Sequence, residues 1–197
     1  EEIDEFAYNS QMRAKNAMEN GYFKDEIVAL TIPGTRKTPE IVFAVDEHPR
    51  PDTTLAGLAK LPPAFVENGT VTAGNASGRN DGSAFVLMMS SNKAAELGYQ
   101  PMARWLSGAD TGCDPKIMGI APAYAVPIAI KRAGLKLSDM DVMECNEAFA
   151  VQNLAVVKEL EKQTGDKIDM NKWNPNGGAI AFGHPNDFPR CIEMMEE

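Results

Sequence analysis

A chain of 197 residues, 44% hydrophobic and 24% charged, is long enough for one large domain or two small ones with a real core. That composition excludes a disordered or fibrous chain. The net charge of −9 and pI of 4.8 argue against nucleic acid and anionic membranes as partners, and no run approaches the roughly 20 apolar residues that span a bilayer.

The chain opens "EEIDEFAYNSQ", without a methionine and already helical in composition, so a fragment or a processed product is expected. Residues 4–20 place Phe6, Met12, Ala17 and Met18 at helical spacing, with Gly21 as a stop. "EIVAL" and "IVFAV" read as short strands around the turn "PGTRKTPE". "TTLAGLAKL" reads as a short helix with a threonine N-cap, ended by Pro62 and Pro63. "VTAGNASGRNDGS" is a long small-residue loop, and "AFVLMMS" after it reads as a buried strand. Then "NKAAELG" predicts helix and "ARWLSG" strand, and "APAYAVPIAIKRAGL" predicts a helix opened by prolines and closed by Gly134. "DMDVMEC" reads as strand and "EAFAVQNLAVVKELEKQTG" as a long amphipathic helix. This alternation predicts an α/β sandwich. There is no internal repeat, and the change of texture near residues 68–82 marks the one candidate domain boundary.

Three loops carry candidate chemistry. In "NGGAIAFGHP" the glycines let backbone approach something closely, and Pro185 restrains His184 to extended geometry. Histidine titrates near neutrality and is the usual general base, although a turn that merely caps a helix is the plainer reading of the spacing. In "MECNEAFA", Asn146 and Glu147 stand where strand gives way to helix; an oxyanion donor and a simple N-cap with a first-turn acid are both open. "TAGNASGRNDG" is small enough to let a ligand pass, but it contains neither GxxxxGK[ST] nor GxGxxG. His48 and His184 lie far apart with no HExxH or paired cysteines, so no metal is expected. Cys113, Cys145 and Cys191 are an odd set without a CxxC, which predicts a reducing, cytoplasmic setting.

Taken together and in order, "VTAGNASGRNDG", "MGIAPAYA", "ECNEAFAVQ" and "NPNGGAIAFGHP" resemble the thiolases, the biosynthetic acetyl-CoA acetyltransferase type in particular, over residues 1–185. The resemblance implies a layered αβα sandwich. Residues 1–77 would be the latter part of the CoA-binding loop domain, and 78–197 the C-terminal domain, truncated after residue 185. It implies a thioester Claisen condensation run in either direction through an acyl-cysteine. Acetyl-CoA and acetoacetyl-CoA would be the substrates, with no permanently bound cofactor and a homotetrameric habit.

By the same resemblance His184 activates the nucleophilic thiol, and Asn146 holds a water that completes an oxyanion hole. Ser77 contacts the pantetheine arm and Arg50 lies beside the CoA nucleotide. Phe65, Ala73, Met118, Ala148 and Phe149 line the pantetheine tunnel or the acyl pocket. Both mechanistic cysteines of the family are expected to be missing, because no cysteine precedes residue 113 and "NDFPRCIEMMEE" replaces the family's closing segment. Cys113 and Cys145 are expected to be packing residues, and Cys191 lacks the glycines of the family's second cysteine. An incomplete sheet would favour self-association or a chain that supplies the missing part.

Overall fold

Helix α1 (Glu2–Glu19) forms where expected, with Phe6 and Ala17 but neither Met12 nor Met18 on its buried face. Phe6, Ala7, Ser10, Gln11, Ala14 and Ala17 turn inward, recurring every three or four residues, while Met12 and Met18 stay half-buried. The computed structural model describes residues 1–185; Cys191 and the closing tail read from residue 186 onward lie outside the described residues.

Strands β1 (Leu30–Ile32) and β2 (Ile41–Phe43) form an antiparallel hairpin with Thr31 opposite Val42, so β1 starts later than "EIVAL" suggests. The short helix α2 (Leu55–Leu58) is capped as expected, Thr54 accepting from the Gly57 N–H over 3.1 Å. Helix α3 (Ser91–Leu97) stops at Gly98 and helix α4 (Pro122–Ala133) at Gly134, both glycines in the left-handed region. Helix α5 (Ala150–Thr164) buries Ala150, Asn153, Val156, Val157 and Leu160 against α1 and α4. With Phe6, Leu58, Ala123, Leu137, Trp173 and Ile180 these make the hydrophobic core.

The strand expectations fare less well. Residues 84–90 form no ladder among the described residues, and Phe85, Val86, Leu87 and Met88 are exposed. The segment 103–108 is likewise unpaired, with Trp105 in solvent, and 139–145 contributes only an isolated parallel bridge from Met143 to Trp173. An apolar run encodes a buried strand only if something covers it and a neighbour takes its N–H and C=O groups. For residues 85–88 neither is present among the described residues.

Candidate active site

The small-residue loop does more than leave space: it forms the middle strip of a three-part backbone arrangement. On one side the Ala150 N–H donates to the Asn75 carbonyl over 2.9 Å, and Ser77 donates to the Ala148 carbonyl from both its N–H, at 3.0 Å, and its hydroxyl, at 3.2 Å. On the other side β3 (Arg79–Asn80) pairs in parallel with β4 (His184–Pro185), and the His184 N–H donates to the Gly78 carbonyl over 2.8 Å. Residues 148–150, 75–80 and 184–185 therefore lie side by side, although long stretches of chain separate them. Asn80 is wedged in this strip, its Oδ1 buried against Gly183 without a hydrogen-bond partner among the described residues. Gly183 has φ +91°, a conformation that a larger residue resists, and a Cβ there would collide with Asn80.

Helix α6 (Ala179–Phe182) leads straight into that histidine turn and has only four residues. So short a helix satisfies few of its own backbone groups, and other parts of the chain must supply partners. Glu147 accepts from the Ile180 N–H over 3.2 Å, and Ser10 accepts from the Gly178 N–H over 3.2 Å. Gln11 donates to the Ile180 carbonyl over 3.2 Å, and His48 Nδ1 lies 2.7 Å from the Ala181 carbonyl. The Nδ1 contact to a carbonyl assigns the ring hydrogen to that nitrogen. Gly178 has to be glycine, because a Cβ would sit inside the Glu147 carboxylate.

A cavity of about 610 Å³ opens beside this arrangement, bordered by Gln11, His48, Arg50, Ala73, Ser77 and Ile180 among others. Of the residues marked by resemblance, Arg50, Ala73 and Ser77 line it, and Ala148 is hydrogen-bonded to Ser77. Phe65 packs edge-to-face on Phe149, with ring centroids 6.0 Å apart, away from the lining. Met118 is exposed on the 3-10 turn Pro115–Ile120, packed beside α5, and is also not part of the lining. Asn146 is exposed and His184 half-buried.

The capping reading of "NEAFA" fails. Helix α5 begins at Ala150 with Phe149 at its N-cap, three residues past Asn146, and Glu147 is 1% exposed rather than a solvated first-turn acid. Its carboxylate takes the Ser10 hydroxyl at 2.6 Å and the Asn174 amide at 2.8 Å as well as the Ile180 N–H. Burial pushes its carboxyl above the usual range, against the pull of those donors and of Arg13. Asn174 also clamps Cys145, accepting from its N–H over 2.7 Å and donating to its carbonyl over 2.8 Å. Burial pushes the Cys145 thiol up to about 11 against the pull of Gln152, with Glu147 and Glu144 adding to the rise. Among the described residues no cluster of histidine, cysteine and carboxylate side chains is arranged to hold a metal ion.

Sequence reasoning missed Ser10, Gln11, His48 and Glu147 as site-building residues. The signal was present in α1, where two adjacent polar residues interrupt an otherwise apolar stripe.

Residues 1–92 match the family model for the thiolase N-terminal domain, and residues 99–189 that for the thiolase C-terminal domain. The chain is 52% identical over 185 residues to the acetyl-CoA acetyltransferase of Syntrophomonas wolfei, covering 94% of this chain and 45% of that protein. It superposes with a TM-score of 0.87 on the crystal structure of the Bacillus anthracis acetyl-CoA acetyltransferase, at 50% identity, covering 93% of this chain and 45% of that one. Human mitochondrial 3-ketoacyl-CoA thiolase in complex with CoA gives a TM-score of 0.82 at 48% identity, covering 93% and 43%. The chain thus spans a little under half the length of the relatives it matches, and over that span its fold is the layered αβα fold they share. Two consecutive thiolase domain models, matched across nearly all of its residues, leave one assignment: the chain belongs to the thiolase family.

Proposed function

We propose that this chain carries the CoA-binding and thioester-activating residues of an acetyl-CoA C-acetyltransferase. The reaction is the Claisen condensation of two acetyl-CoA to acetoacetyl-CoA and its reverse thiolysis. The observation that supports this reading is the side-by-side placement of 75–80, 148–150 and 184–185 next to the cavity bordered by Arg50 and Ser77. Arg50 would take a CoA phosphate in a chain whose net charge of −9 otherwise repels it, and Ser77 would hold the pantetheine arm. Ala73, Ala148, Phe149, Phe65 and Met118 would bound the path of the arm and the acyl group.

His184 would serve as general base to the thiol, and with a water on Asn146 it would donate to the thioester oxygen as negative charge develops there. The acylated cysteine is proposed to be none of Cys113, Cys145 and Cys191. A binding or interaction module without turnover is the second reading, favoured by the raised Cys145 thiol. Self-association, or pairing with a chain that carries the nucleophile, is proposed on the exposed apolar side chains of residues 85–88. A cytoplasmic setting is proposed on the cysteine pattern.

Calorimetry with CoA and an intact mass after incubation with acetyl-CoA test this together. The expected result is CoA binding that weakens at least tenfold in Arg50→Ala, the loss of a charge-assisted phosphate contact, and no acetyl adduct. An adduct on any of the three cysteines overturns the assignment of the nucleophile. Absence of CoA binding overturns the reading itself.

A further inference from the structure

Among the described residues, Glu147 is the one carboxylate that reaches three separate segments from a fully buried position. It meets α1 through Ser10, the 174 turn through Asn174, and α6 through the Ile180 N–H. Its own backbone follows directly on Asn146, and the backbone of its other neighbour, Cys145, is fixed by two bonds to Asn174. Asn153, 0% exposed, holds the Asn146 carbonyl over 3.0 Å and accepts from the Trp173 indole over 3.0 Å. On the other side of the carboxylate, Ile180 stands in the four-residue helix that delivers Gly183 and His184. Gln11 and His48 also hold α6, but by its carbonyls, and among the described residues neither hydrogen-bonds to residues 145–147. Among the described residues, the direct side-chain link between the Asn146 segment and the helix that precedes His184 runs through the Glu147 carboxylate.

We propose that Glu147 is the positioning residue that fixes the Asn146 segment and the His184 turn relative to each other. The proposal rests on the reading of those two residues as the working pair. Glu147 itself touches no reacting atom. It acts by accepting the Ile180 N–H, and the missing side chain of Gly178 is what lets the carboxylate come that close. Glutamine at this position presents an NH2 group to a ring of donors, so one of them loses its acceptor.

The test uses NMR on the 197-residue chain, with the His184 imidazole as reporter and the Leu135 amide, which closes α4 on the Ile130 carbonyl, as internal control. In Glu147→Gln the His184 ring signals are expected to shift and broaden, and the Ile180 amide to exchange about tenfold or more faster, the loss of a bond to a charged acceptor. The Leu135 amide signal is expected to stay in place, whereas His48, bonded to Ala181 in α6, moves with that helix. If the variant does not fold, Glu147→Asp is read in the same way, since it keeps the charge but withdraws it from Ile180. Unchanged His184 signals, or equal disturbance of His184 and the Leu135 amide, overturn the proposal. No turnover or ligand is needed, so failure of CoA to bind would sink the proposed activity and leave this result to be judged by itself.

Discussion

Replacing Ser10 by alanine removes a single hydroxyl from the buried face of α1, and with it two of the bonds that hold the histidine turn. The hydroxyl donates to Glu147 over 2.6 Å and accepts from the Gly178 N–H over 3.2 Å. The first bond goes to a buried carboxylate, and such bonds contribute about 1.5–3 kcal/mol. The second is long and half-buried, and its loss costs roughly 0.5–1 kcal/mol. Alanine returns about 0.5 kcal/mol through its better helix propensity. The expected net loss is about 1.5–3.5 kcal/mol. Urea unfolding followed by tryptophan fluorescence measures it, because Trp173 is 3% exposed and reports on the core, while Trp105, at 72%, contributes a nearly constant background. The urea midpoint should fall with the slope m unchanged. A loss below about 0.5 kcal/mol, the level of an ordinary surface change, would refute the claim that this hydroxyl bridges a buried carboxylate to the backbone of the turn.

The buried carboxyl also gives the chain a pH signature. Because burial holds the Glu147 carboxyl above its ordinary 4.5, the folded chain binds that proton more tightly than the unfolded chain does. Its contribution to stability is full below about pH 4.5 and is lost as pH rises through the folded value. Urea midpoints across pH 4–8 should therefore fall more steeply with pH in the native sequence than in Glu147→Gln, and parallel curves would count against the shift. Cys145, raised from 9.0 to about 11, should carry roughly 100-fold less thiolate in the folded than in the unfolded chain at neutral pH. Alkylation mapped by peptide mass should show that difference, and equal rates in native and urea-unfolded chain would contradict it. Gly178→Ala drives a methyl into the Glu147 carboxylate and should cost about 1–3 kcal/mol, the usual penalty for overpacking. A thermal midpoint within a degree or two of the native chain would mean that the backbone there yields freely.

Helices were legible because their signals are local. Gly98 and Gly134 announce their stops, and Thr54 announces a start, each within a few residues of the element it bounds. Residues 84–90 were misread because a strand is a property of two chains of backbone, and the apolar pattern says nothing of whether a partner is there. The hydrogen-bonded loops of the site were marked by their glycines and by His184, and resemblance added Arg50 and Ser77, which do border the cavity. Glu147 was concealed by a local explanation that fitted equally well, an N-cap followed by an acid. Ser10 and Gln11 lie 168 and 169 residues from the groups they hold in the glycine turn, a separation at which no spacing rule operates.

Those separations also set the order in which the molecule can assemble. The bonds on α6 from Ser10, Gln11, His48 and Glu147 span 168, 169, 133 and 33 residues. A contact that closes so long a loop must overcome its entropy before it brings any gain, so it forms slowly and late. Helices α4 and α5 can form and pair from nearer neighbours while α6, at four residues, has no independent stability. During synthesis α1 emerges well before α6, and Ser10 stays without its Gly178 partner until 168 further residues have followed. The histidine turn accordingly forms later than the helices α4 and α5, and native-state hydrogen exchange should find it opening before them.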